Sequence, residues 1–240
     1  MRNLLDRELH QLNGEILRMG ALVEEALEQS LLALGEMDAE RAKKVIARDD
    51  QIDEMETRVE KHCLNLLALQ QPLAGDLRHI GASLKLLTDL ERIADHASDI
   101  AELTLRLMPT ADKVKNDRLV PAGVLRMAAR TREMLRTALD AYVRLDAEAA
   151  RRVCDADDEV DELFRVLILD RVEAIKRDAG EVESAVDVMF IIKYLERVGD
   201  HATNIAEWVI YDVTGMHAHL QHPEKHPGRE TPPELGRGES

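Results

Sequence analysis

Glu91, Asp95 and Asp99 stand four residues apart in a segment whose apolar residues recur at helical spacing. Positions i and i+4 share one helix face, about 5–6 Å apart at Cβ, so the three acids form a stripe. Like charges at that spacing cost about 0.2–0.5 kcal/mol per pair, and something must offset the cost. Two chemistries would. Neighbouring Arg92 could pair with the acids, or a hard cation could be held by carboxylate oxygens at about 2.0–2.6 Å. Glu196 and Asp200 make a second stripe, with Arg197 beside it and Asn204 at the place of Asp99. Asp49/Asp53 and Asp157/Asp161 are two further i,i+4 acid pairs.

The stripes belong to a duplication. Leu90-Glu91-Arg92-Ile93-Ala94-Asp95-His96-Ala97 returns 105 residues later as Leu195-Glu196-Arg197-Val198-Gly199-Asp200-His201-Ala202. Asp49-Asp50-Gln51-Ile52-Asp53-Glu54 returns 108 residues later as Asp157-Asp158-Glu159-Val160-Asp161-Glu162. A loop-length difference absorbs the three-residue change of offset. Repetition at long spacing marks a duplicated unit. A buried face needs only apolar residues of suitable size, so the return of the polar letters says that both units carry the same chemistry. The acids border the apolar seam, next to Leu90, Leu195, Ile52 and Val160, with small Ala94, Ala97, Gly199 and Ala202 nearby. Small residues let helices approach closely, so each unit gathers four or five carboxylates in one groove. Oxygen ligands suit Mg, Mn, Ca and Fe(III). His96 and His201 follow the second acid of each stripe, but the Glu-x-x-His signature of di-iron bundles is absent, because Ile93 and Val198 stand three residues before them. The ordinary reading of a lone helical histidine, a hydrogen-bonded packing residue, is preferred for both. An oxygen-dependent di-iron oxidoreductase and a metal-free helical scaffold are the alternatives to a cation-binding bundle.

The elements that must position these residues are helices. Of 240 residues 45% are hydrophobic and only 2% aromatic, so the core is built of Leu, Ile, Val, Ala and Met. The spacing predicts long helices over 4–34, 39–70 and 74–108, then 118–145, 147–178 and 182–213, with turns at Gly35–Asp38, Gln71–Pro72 and Asp178–Gly180. Long helices joined by short loops run antiparallel. The fold class is therefore all-α: two tandem antiparallel three-helix bundles with an internal pseudo-two-fold repeat, over 1–110 and 114–215. Residues 216–240, rich in His and Pro, form a tail without an apolar period. A net charge of −15 argues against nucleic acid as a partner. No apolar run is long enough to span a membrane, and Cys63 and Cys154 lack metal or disulfide spacing, which points to a reduced cytoplasmic setting. No P-loop, GxGxxG, HExxH or GxSxG occurs, so no enzyme is expected.

Taken together, Leu-Glu-Arg-x-x-Asp-His-Ala-x-x-Ile-Ala-Glu in two copies resembles the signature of the PhoU family. Arg7-Glu8-Leu9 through Glu24-Glu25-Ala26, and Gln71-Pro72-Leu73-Ala74-Gly75-Asp76-Leu77-Arg78, are similar to that family's first helix and second loop. The likeness covers about 1–215. It implies a cytoplasmic, non-enzymatic regulator that represses the phosphate-starvation response. The implied partners are the ATPase subunit of the high-affinity phosphate transporter and the phosphate-sensing histidine kinase, and a homodimer is implied as well. It also implies metal binding, with Fe, Mn, Mg or Zn as candidates, through Asp49, Asp53, Glu91 and Asp95 in the first unit and Asp157, Asp161, Glu196 and Asp200 in the second. Asp99 stands where the family commonly has Asn, which makes the first site the more acidic.

Overall fold

The computed structural model describes residues 2–111, 119–178, 180 and 182–216. Of the expected tail 216–240, all but Met216 lies outside the described residues, as does the linker stretch 112–118. Seven helices are present among the described residues: α1 Arg2–Glu36, α2 Ala39–Ile46, α3 Asp49–Leu69, α4 Ala74–Ala111, α5 Ala122–Arg144, α6 Ala147–Arg177 and α7 Val182–Thr214. No strand occurs among them.

The expected helix over 39–70 is two helices, α2 and α3, separated at Ala47 and Arg48. Its counterpart α6 is continuous. The equivalent of Arg48 in α6 is Ala156, which is buried. A straight helix would bury Arg48 at that place. The break leaves it exposed and within 2.8 Å of Glu25 on α1. Two smaller corrections concern helix ends. The third helix continues through Pro109 to Ala111, because a proline in the last turn removes one hydrogen bond without interrupting the helix body. The fourth begins at Ala122, after Pro121 at the N-cap place, instead of at 118.

The α1–α2 turn and the α5–α6 turn are copies of each other. Met37 and Leu145 both take positive φ, at 52° and 50°. Asp38 then caps α2 through Arg41 N, and Asp146 caps α6 through Glu148 N and Ala149 N. A capping carboxylate satisfies amides that the first helical turn leaves without partners.

The two long helices α4 and α7 pack antiparallel through the middle of the molecule. His79 near the start of α4 bonds Asp212 near the end of α7, and Arg106 near the end of α4 pairs with Asp187 near the start of α7 at 2.7 Å. One continuous apolar core runs from Leu5 to Ile210 and takes residues from α1 and α3–α7, with Ile80, Leu87, Leu90, Ile93, Ile191, Leu195, Val198 and Ile205 at its centre. The two units are therefore not separate globules: they share one apolar core. No described helix is long and apolar enough to cross a membrane.

Candidate metal centre

Asp49 opens α3, and Asp53 lies one turn further along. Both face α4, which brings Glu91, Asp95 and Asp99 against them. One carboxylate oxygen each from Asp53, Glu91 and Asp95 lies within 4.8 Å of the others. Burial pushes the Asp49 carboxyl up to about 6, helped by the negative charges of Asp95, Asp53, Asp50 and Asp99. Glu91 is likewise pushed up to about 6, by burial and then by Asp95, with Arg92 acting the other way. Asp99 is raised by burial and by Asp95. Negative charges packed this closely in a half-buried groove favour the protonated form. Arg92 is the partial counter-ion that the sequence suggested: it lies 3.4 Å from Glu91 and 3.1 Å from Asp95. Glu56 was not among the expected residues. It sits beside the cluster, and its carboxyl is raised by burial and by Glu60 and Asp53.

The second groove holds the equivalent acids differently. Asp157 is pushed up to about 6 by burial, then by Asp161 and Asp200. Asp161 and Asp200 are each raised by burial and by Glu196. Gly199 lets α7 approach α6 closely: a Cβ there would lie 3.2 Å from Val160 and 3.7 Å from Asp157. All four expected acids thus face one groove. Among the described residues, however, no set of three of them offers ligand atoms as close together as in the first groove. This groove also holds Lys193, whose ammonium is bonded to Glu196 and acts against the rise of the Asp161 and Asp200 carboxyls. The first unit has Thr88 at that place. Arg197 acts on Asp200 more weakly.

His96 and His201 point across the α4–α7 interface and meet the other unit. Their rings lie 5.7 Å apart. His201 Nδ1 is 2.8 Å from Asp89 Oδ1, which also accepts a hydrogen bond from Asn204 at 3.0 Å. His96 stacks on Tyr194 at 5.3 Å. Asp89 and Tyr194 are equivalent positions in the two units, so each histidine touches the residue seven before its counterpart. Burial, followed by the charge of His201, pushes the His96 imidazole down to about 4, so at neutral pH it packs as an uncharged ring. Sequence reading alone missed this junction, because its signal lies in residues that differ between the repeats.

The arrangement matches a known domain twice. The family model described as PhoU domain matches residues 16–104 and 124–209. The chain belongs to the PhoU family. A phosphate-specific transport system accessory protein PhoU homolog from Clostridium acetobutylicum is 36% identical over 220 residues, 91% of this chain and 98% of that one. A homolog of the same name from Zymomonas mobilis is 36% identical over 225 residues, 94% of this chain and 91% of that one. Among solved structures, PhoU from Pseudomonas aeruginosa superposes with a TM-score of 0.82 at 34% identity, over 88% of this chain and 99% of that one. The phosphate transport system regulatory protein PhoU from Streptococcus pneumoniae gives 0.80 at 30% identity, over 89% and 98%. The all-α, internally repeated architecture is thus that of PhoU.

Proposed function

We propose that this chain is a metal-binding, non-enzymatic adaptor that restrains the phosphate-starvation response and modulates a phosphate transporter through protein contacts in the cytoplasm. Its partners in this reading are the transporter's ATPase subunit and the phosphate-sensing histidine kinase, and it works as a homodimer. Membership of a family whose relatives are named as accessory and regulatory proteins of phosphate transport supports the regulatory half.

The acid cluster supports the metal half. Asp53, Glu91 and Asp95 offer three hard oxygen donors within 4.8 Å, a donor set that suits Fe, Mn or Mg better than Zn, which favours nitrogen and sulfur. Asp49 and Asp99 flank them. Asp157, Asp161, Glu196 and Asp200 are the second set. A bound cation would add to the positive charge that Arg92 and Lys193 supply only in part and so tie α3 to α4 and α6 to α7. The residues themselves bind and hold; none is placed to act on a substrate.

Deleting the gene tests the regulatory half. Phosphate-starvation genes then stay on in high phosphate, and a copy lacking residues 217–240 restores repression, since the matched domains end before the tail. Normal repression in the deletion strain, without a paralogue, refutes it. Elemental analysis of untagged protein tests the metal half. Asp95→Asn with Asp200→Asn loses the metal and keeps its helical circular dichroism. Metal retained at wild-type stoichiometry in that variant refutes the assigned residues.

A further inference from the structure

The duplication supplies its own comparison. At equivalent places in two units of one fold, α3 and α4 carry Glu56, Glu60, Lys61 and Lys85, whereas α6 and α7 carry Phe164, Ile168, Leu169 and Phe190. The first unit is charged here, as a solvated helix face is. The second is apolar yet still exposed: Leu169 is 62% and Phe190 53% accessible. The chain has two phenylalanines, and both stand on this face. Val182, Val186 and Phe190 follow at four-residue spacing, share one side of α7 and are all exposed. Lys193 joins the two helices, its ammonium 5.1 Å from the centre of the Phe164 ring. On α6 the same groove continues from Phe164, Ile168 and Leu169 into Asp158, Asp161 and Glu162, three acids against one cation of the same lining, Arg165, which pairs with Glu162.

The geometry points to a docking face for a cationic amphipathic helix of a protein partner. Its apolar stripe lies over Phe164, Ile168, Leu169 and Phe190, and its Lys or Arg side chains reach the acidic end of the groove at Asp158 and Glu162, outside the carboxylates assigned to metal. Phenylalanine is among the residues enriched in the buried centres of protein interfaces, and an apolar groove with charge at one end takes an amphipathic helix. Charge selects the occupant. A second copy docked face to face here would set the same acids, Asp158, Asp161 and Glu162, against each other, and an anionic membrane surface is repelled. This deepens the adaptor reading and rests on it for the existence of a protein partner.

The test uses the full chain and a labelled helical peptide of about five turns, with Leu on one face and Lys on the other. The controls are a scrambled peptide of equal composition and a Leu/Glu counterpart, read by fluorescence anisotropy at physiological salt. The patterned Leu/Lys peptide is expected to bind at least about tenfold tighter than the scrambled one. Phe164→Glu with Phe190→Lys, which installs residues that the first unit already accommodates at these places, abolishes that preference. Lys61→Ala with Lys85→Ala leaves it intact. Leu169→Lys, a change at an exposed site, repeats the loss even should the double variant fold poorly. Equal binding of patterned and scrambled peptides overturns the proposal, since net charge alone then explains the attraction. Binding unaffected by Leu169→Lys and by the double variant also overturns it. So does a dimer that the Leu169→Lys variant converts to monomer in sedimentation without any peptide binding, which assigns the face to a second copy. Failure here leaves the gene-deletion result untouched, and normal repression after deletion refutes the adaptor reading even where the peptide binds.

Discussion

Lys193 is the residue that most separates the two acidic grooves. It answers the charge of Glu196 inside the protein, whereas the first groove has Thr88 in its place and leaves Asp53, Glu91 and Asp95 to Arg92 from one side. Under the metal-binding reading, a cation must compete with an ammonium only in the second groove. Calorimetric titration of metal-free protein is therefore expected to show two steps, the first groove filling before the second, and Lys193→Thr to bring the steps together. Unchanged steps in that variant would remove Lys193 as the cause. The raised carboxyls give a second expectation. Asp49, Glu91 and Asp157 each protonate near pH 6 in the folded protein, above the ordinary carboxylate values of the unfolded chain. The folded state then binds more protons, so the stability these groups confer is complete below the unfolded values and is lost as pH rises through about 6. Metal-free protein should melt at higher temperature as pH falls from 7 toward 5, and Asp49→Asn should flatten that slope. A slope of opposite sign would mean that neither burial nor mutual repulsion raises these acids. The sequence revealed the acid pairs because their letters repeat. It did not reveal Lys193 or Glu56 as members of the site, because each stands at a place where the two units differ.

At the scale of elements, the repeated turn is the most informative local device. Met37-Asp38 and Leu145-Asp146 set the same left-handed residue before the same capping aspartate. Asp146→Ala is expected to cost about 1 kcal/mol in chemical denaturation, the usual loss for an N-cap side chain. Leu145→Gly should change stability by no more than about 1 kcal/mol, because relief of positive φ is offset by the greater freedom of glycine in the unfolded chain. A large loss in the glycine variant would show that the half-exposed Leu145 side chain is held by packing. Helix order in both units, and helix number in the second, were legible from the apolar rhythm and the Pro and Gly positions. The division of 39–70 into α2 and α3 was not. It depends on whether residue 48 faces the core, and apolar spacing on either side of Arg48 is helical all the same.

At the scale of the whole molecule, the duplication was plain in the sequence and the joint between its copies was not. The sharing of one core by α4 and α7 depends on small residues such as Ala97, Ala202 and Ala206, all buried within it. In a sequence, such residues read equally well as packing within each unit. Residues 1–111 expressed alone expose the apolar side of α4. They are expected to self-associate or bind hydrophobic dye, and to give a soluble complex when co-expressed with 119–216. A well-behaved monomer of 1–111 by light scattering, with a sharp thermal transition, would show that the shared core is dispensable.

The junction of His96 with Tyr194 and of His201 with Asp89 has a historical consequence. Each histidine touches the equivalent position of the opposite unit, which is the geometry of an isologous contact between two identical chains. A lone ancestral unit could have closed its apolar face only by pairing with its own twin, and every substitution would then have been made twice. Fusion into one chain broke that tie. One copy of the position is an acid and the other a tyrosine; one groove holds a lysine where the other has a threonine; one surface is charged where the other carries both phenylalanines. Joining the twins gave the molecule a left and a right, and with them the freedom to assign different tasks to each side.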